Sequence, residues 1–67
     1  MLNERDINLL GYDYLLGSKI TTALAIFKAN TQLFPNSANV FDSYGEALAG
    51  AGQNELALTN YKKAVSV

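Results

Sequence analysis

The chain has no cysteine, no histidine and no tryptophan, and only one proline. Without cysteine no disulfide can staple a small fold. Without cysteine and histidine together, the common zinc sites and the usual nucleophile–base pairs are gone. Carboxylates, hydroxyls and lysines are all that remain for chemistry, and they suggest neither a cofactor site nor a metal site. Basic charge is also scarce, with five Lys and Arg against six Asp and Glu for a net charge of -1. Apart from the Lys62–Lys63 pair, Arg5, Lys19 and Lys28 are scattered. Release of counterions needs clustered cations, so nucleic acid and an anionic membrane are not expected as partners. No run approaches the roughly 20 apolar residues of a membrane span, and no basic segment leads into an apolar one as a secretion signal would. No address can be read, and the location is cytoplasmic if the chain is complete. Met1, just before a capped first helix, fits a chain that begins there.

What the chain does have is self-similarity at an offset of about 34 residues, a period typical of helix-turn-helix solenoid units. Gly11 falls on Gly45, Ala23 on Ala57, Leu24 on Leu58 and Lys28 on Lys62; Ile7 falls on Phe41, Leu10 on Tyr44, Tyr14 on Leu48 and Phe27 on Tyr61. Small positions stay small and large positions stay large. Two copies of one packing unit follow, repeat 1 over about 4–37 and repeat 2 over about 38–67, within a single domain spanning 1–67.

Punctuation divides each copy into two helices. Asn3 can cap a helix from about Glu4 to Leu16, with Glu4 and Asp6 in the first turn where the helix dipole favours anions. Gly17 and Ser18 offer a stop and a new N-cap, after which Ile20, Ala23, Leu24, Phe27 and Thr31 form a second stripe ending near Phe34. Pro35 forbids continuation, and Asn36 and Ser37 offer the next cap. Val40, Phe41, Tyr44, Ala47 and Leu48 carry a third helix to the Gly50-Ala51-Gly52 turn. Asn54 can cap a fourth, along which Leu58, Tyr61 and Val65 share one stripe. No period-two run suggests a strand, so the fold class is all-α.

Gly11 and Gly45 fall mid-helix, where glycine costs about 1 kcal/mol relative to alanine. Close helix approach can offset that cost: opposite each glycine the next helix presents Ala23 or Ala57 and then a ring, Phe27 or Tyr61. In this arrangement the residues resemble the tetratricopeptide repeat, on Ile7, Leu10, Gly11, Tyr14, Ala23, Phe27, Asn30 and Pro35 in the first copy. The second copy supplies Phe41, Tyr44, Gly45, Leu48, Ala57, Tyr61 and Ala64. Asn30 departs from a position where that family prefers alanine. The resemblance implies two helix-turn-helix units, four antiparallel helices forming a fragment of a right-handed solenoid. The stretch LFPNSANVFDSYGEAL is also similar to repeat modules that follow the catalytic domains of bacterial serine hydrolases of the esterase type. The alternative function this implies is an accessory C-terminal segment of such a protein.

The copies also differ. Asp6 and Asp13 correspond to Val40 and Ala47, which predicts that one helix face meets water in the first copy and packs on the second helix in the second. Ile20, Ala25, Ile26 and Ala29 become Asn54, Thr59, Asn60 and Lys63, a partial polarisation of an end helix. Leu58, Tyr61 and Val65 nevertheless stay apolar. Each is worth about 1.5–3 kcal/mol if buried, so a cover is expected, with self-association into a homodimer as the preferred one.

An enzyme is not expected. Asp42 and Glu46 form the one carboxylate pair on a helix face, and a solvated face explains them. Ser43 beside them lacks a base, and Gly50 and Gly52 lack the strand and lysine of a phosphate loop. Family resemblance implies instead a concave groove binding a protein or peptide. It would be lined by Asn8, Leu9, Tyr12 and Leu16 on one wall and Asn39, Asp42, Ser43 and Glu46 on the other. An apolar wall beside an acidic one suits a segment with an apolar anchor followed by Lys or Arg.

Overall fold

In the computed structural model, residues 3–67 are described. Met1, which entered the reading of where the chain starts, lies outside them. The described residues form four helices and no strand: α1 (Glu4–Leu16), α2 (Ile20–Leu33), α3 (Ala38–Gly50) and α4 (Asn54–Ser66). Packing runs between neighbours, α1 on α2, α2 on α3 and α3 on α4, with a smaller contact between α1 and α3. The Cα envelope measures 32 × 30 × 13 Å, about two packed helix layers thick. Such a slab has no deep interior, and its buried centre is made of Ala23, Phe27 and Ala47, with Tyr12, Leu15, Leu24 and Tyr44 packed around it.

The start of α1 follows its sequence signal, for Asn3 Oδ1 accepts a hydrogen bond from the Asp6 N–H at 2.9 Å. The expected caps at Ser18 and Asn54 do not form. After α1, the Ser18 N–H bonds to the Leu15 carbonyl and the Lys19 N–H to that of Tyr14. After α3, the Gly52 N–H bonds to Ala49 and the Gln53 N–H to Leu48. These are two identical Schellman closures, which require a left-handed residue at the place filled by Ser18 (φ 63°) and Gly52 (φ 82°). The connections between helices are so short that closing one helix uses the residues that could have capped the next. Lys19 and Gln53 therefore occupy the N-cap positions of α2 and α4 without a side-chain cap. Ser37 is the N-cap residue of α3, but its hydroxyl donates to the Glu4 carboxylate instead of capping its own helix.

Because Ser18 carries a Cβ in a conformation that glycine adopts freely, Ser18→Gly is expected to stabilise the fold by about 1 kcal/mol, and Gly52→Ala to destabilise it by about as much or more. Thermal unfolding followed by circular dichroism should show an upward shift of about 4–8 °C for the first. An unchanged or lowered midpoint would contradict this assignment of strain.

Both mid-helix glycines lie against rings, as their spacing predicts. A Cβ on Gly11 would stand 2.8 Å from Cε1 and Cζ of Phe27. On Gly45 it would stand 2.9 Å from Cε1 of Tyr61 and 3.2 Å from the Ala57 carbonyl oxygen. Phe27 is 0 % exposed and cannot yield. Val40 and Ala47 are likewise buried, while their counterparts Asp6 and Asp13 are in water. Leu10 and Tyr14 stay exposed although their counterparts Tyr44 and Leu48 are half-buried and buried. The reason is placement: α3 is flanked by α2 and α4, and α1 has no helix beyond it. Gly11→Ala is expected to lose about 1–2 kcal/mol, since overpacking outweighs the gain in helix propensity. Gly50, with nothing within 4 Å of its would-be Cβ, is the control: Gly50→Ala should be neutral or stabilising in the same denaturant titration.

Candidate partner-binding face

The α1–α3 contact sets residues of the two copies side by side. Tyr12 and Glu46, equivalent positions one repeat apart, are joined directly: the Tyr12 hydroxyl donates to Glu46 Oε2 at 3.2 Å. Below the hydroxyl, the Tyr12 ring stands edge-on to Phe27, with centroids 5.0 Å apart and planes at 74°. Tyr12 is therefore half in the core and half on the face. Burial raises its pKa above the ordinary 10.0; the nearby Ser43 side chain opposes this, while the charges of Glu46 and Asp42 and the bond to Glu46 add to the rise.

The other predicted face residues divide into two groups. Leu9 and Leu16 point outward, 55 % and 83 % exposed, and Asn39, Asp42 and Glu46 are exposed as well. Ser43, read as part of the acidic wall, is only 5 % exposed and lies beneath Tyr12, where it supports the face instead of lining it. Asn8 is half-buried, its Oδ1 enclosed without a hydrogen-bond partner. The structure thus brings Tyr12, Ser43 and Glu46 together, with the Leu9 and Leu16 side chains open nearby on α1. Among the described residues, no three His, Cys, Asp or Glu side chains gather as a metal ion would require.

Sequence reasoning did not single out a second junction. Asn30, 1 % exposed, donates from Nδ2 to the Glu4 carbonyl at 2.9 Å, and the Glu4 carboxylate accepts from Ser37. The first turn of α1 is thereby tied to the end of α2 and the start of α3. The available signal was Asn30 itself, a polar residue where the second copy has Ala64. At the far end, Tyr61 is half-buried on Gly45, so it belongs to its own unit's packing more than to an open stripe; Leu58 and Val65 remain 54 % and 88 % exposed. Lys63, counted as polarisation of this end helix, holds its ammonium 5.3 Å from the Phe41 ring centroid.

Shallow depressions occur at the helix connections, one of about 390 Å³ lined by Glu4, Phe34, Pro35, Asn36 and Ser37 and one of about 460 Å³ along Gly52–Leu56. The first contains the Ser37 hydroxyl and the Glu4 carboxylate to which it donates. No helix among the described residues is long and apolar enough to cross a membrane. No protein-family model, curated protein or solved structure matches the chain.

The sign of the Tyr12 shift makes a prediction. A phenol whose folded pKa exceeds 10.0 keeps its proton in the folded state after the unfolded state has lost it. Its stabilising contribution is therefore complete below pH 10 and disappears as pH rises through the folded pKa. Ultraviolet titration of phenolate absorbance should lose a component above pH 10 in Tyr12→Phe, and the variant's stability should fall less steeply than the parent's over that range. A titration identical to the parent's would disprove the assignment.

Proposed function

We propose that the chain is a non-catalytic protein-interaction module: two helix-turn-helix units of tetratricopeptide type, with antiparallel helices in a right-handed array, that holds a segment of a partner protein on the α1–α3 face. The observation carrying this reading is that the turn-closing and close-approach positions 34 apart occupy matching environments. Ser18 and Gly52 close matching turns, and Gly11 and Gly45 meet Phe27 and Tyr61 in matching close approaches. A module built by repetition presents like residues of successive units along one surface, and that surface is where such modules bind. Here it carries exposed Leu9 and Leu16 on α1 and exposed Asp42 and Glu46 on α3. Apolar side chains supply contact area, and the carboxylates select a cation and steer its approach. The partner segment is one with an apolar anchor followed by Lys or Arg.

Fluorescence anisotropy with two labelled peptides tests this, one with leucine followed by two lysines and one with the lysines replaced by glutamates. The lysine peptide is expected to bind more tightly, and less so at high salt. Leu9→Ser, Leu16→Ser and Glu46→Gln should each weaken it by about threefold to tenfold, the glutamine still accepting from Tyr12. Tyr12→Ala is a poor probe because it also strips the ring packed on Phe27. Equal binding of both peptides, or indifference to all three variants, would refute the reading.

A further inference from the structure

Two chain ends present the two halves of one internal contact. Inside the molecule, Ala23 and Phe27 of α2 pack with Ala47 of α3, and Val40 lies two turns before Ala47 on α3, all four fully buried. On α4 the equivalents Ala57 and Tyr61 are buried and half-buried against Gly45 of their own unit, and Leu58 and Val65 are left open beside them, whereas the α2 counterparts of these two, Leu24 and Thr31, are half-buried and buried. At the other end, α1 presents the equivalents of Val40 and Ala47, and these are Asp6 and Asp13, both exposed. If α4 of one copy met α1 of another as α2 meets α3, two carboxylates would enter the positions that Val40 and Ala47 fill without water. Burying an uncompensated carboxylate is prohibitive. The α4 lysines are not placed to compensate, since Lys62 matches the exposed Lys28 and Lys63 lies over Phe41 of its own unit. Head-to-tail growth into a chain of copies is thereby blocked at α1, and α4 is left without that partner.

We propose that α4 pairs instead with α4 of a second copy, antiparallel about a two-fold axis near Leu58. In this register the exposed Leu58 side chains meet across the axis, and Glu55 of each copy, one turn before Leu58, faces Lys62 of the other, one turn after it. Val65 lies over the other copy's Ala51–Gln53 turn. Such a contact is closed: each copy uses the same flank of α4, and Asp6 and Asp13 interrupt the exposed Leu10 and Tyr14 on the outer side of α1 and keep that end in water. Asp6 and Asp13 are then the residues that limit assembly to two.

Sedimentation equilibrium over a dilution series reads this directly. The parent chain is expected at twice its 7.2 kDa mass, and Leu58→Lys at the mass of one chain with unchanged helical circular dichroism, since Leu58 is exposed and outside the core. Glu55→Lys should also shift the chain toward monomer, and the double variant Glu55→Lys/Lys62→Glu should restore the dimer. Because the protein has no cysteine, Leu58→Cys should give an oxidised, covalent dimer in high yield. Asp6→Val/Asp13→Ala should assemble beyond two. A monomeric parent, no rescue by the charge swap, or a double Asp variant that stops at two would each overturn the proposal. Peptide binding on the α1–α3 face is measured separately, and its presence or absence has no bearing on these masses.

Discussion

The structure depends on how closely two helices can approach when one offers glycine. At Gly11 the Phe27 ring occupies space that any side chain would claim, and at Gly45 the Tyr61 ring does the same. With a Cα envelope only two helix layers thick, the fold has no thick interior of large aliphatic residues. Burial is instead concentrated where a flat ring lies on bare backbone with alanine alongside, as at Ala23, Phe27 and Ala47. Dense contact per atom substitutes for bulk. The helix penalty of glycine is the local cost of that density, and identical placement in both halves makes each pair of helices a unit of one geometry.

Beside this apolar packing a different chemistry operates. Asn30 and Ser37 bind the two ends of Glu4, backbone carbonyl and carboxylate, and Tyr12 reaches Glu46 across the repeat. Apolar contact fixes how far apart α2 and α3 sit, while these directional bonds fix where α1 lies along them. The arrangement is not free of cost. The Oδ1 atoms of Asn30 and Asn8 are enclosed with no partner, and a buried polar atom left so costs about 1–3 kcal/mol. Retaining asparagine at position 30, where the second copy has Ala64, trades some stability for a defined register of the first turn.

Much of this could be read in the residues before the coordinates. The glycine, alanine and ring positions repeat at one offset, and side-chain size at fixed spacing is a direct record of packing. Asp6 and Asp13 opposite Val40 and Ala47 told which face of each copy meets water. Pro35 and Asn3 marked helix ends because their effects are local. The failures share a cause as well. Ser18 and Asn54 have the chemistry of N-caps, but the preceding helix claims the connection first, and nothing in a serine announces a positive φ. Ser43 looks like a solvent-facing polar residue on an amphipathic helix, and only the neighbouring helix makes it interior; Asn30 stands out as polar at a packing position, but its bond to the Glu4 carbonyl is tertiary. Tyr12 was legible as a surface aromatic and illegible as a core one, since its contact with Phe27 is tertiary.

One consequence follows from the pattern of neighbours. Among the helices, α4 touches α3 alone, so no loop back to the first pair secures it. Detaching α4 would uncover Gly45 and one side of α3 while Ala23, Phe27 and Ala47 stay packed, an opening far smaller than global unfolding. Loss of the last helix would therefore break contacts with α3 alone and leave those among the other three helices in place.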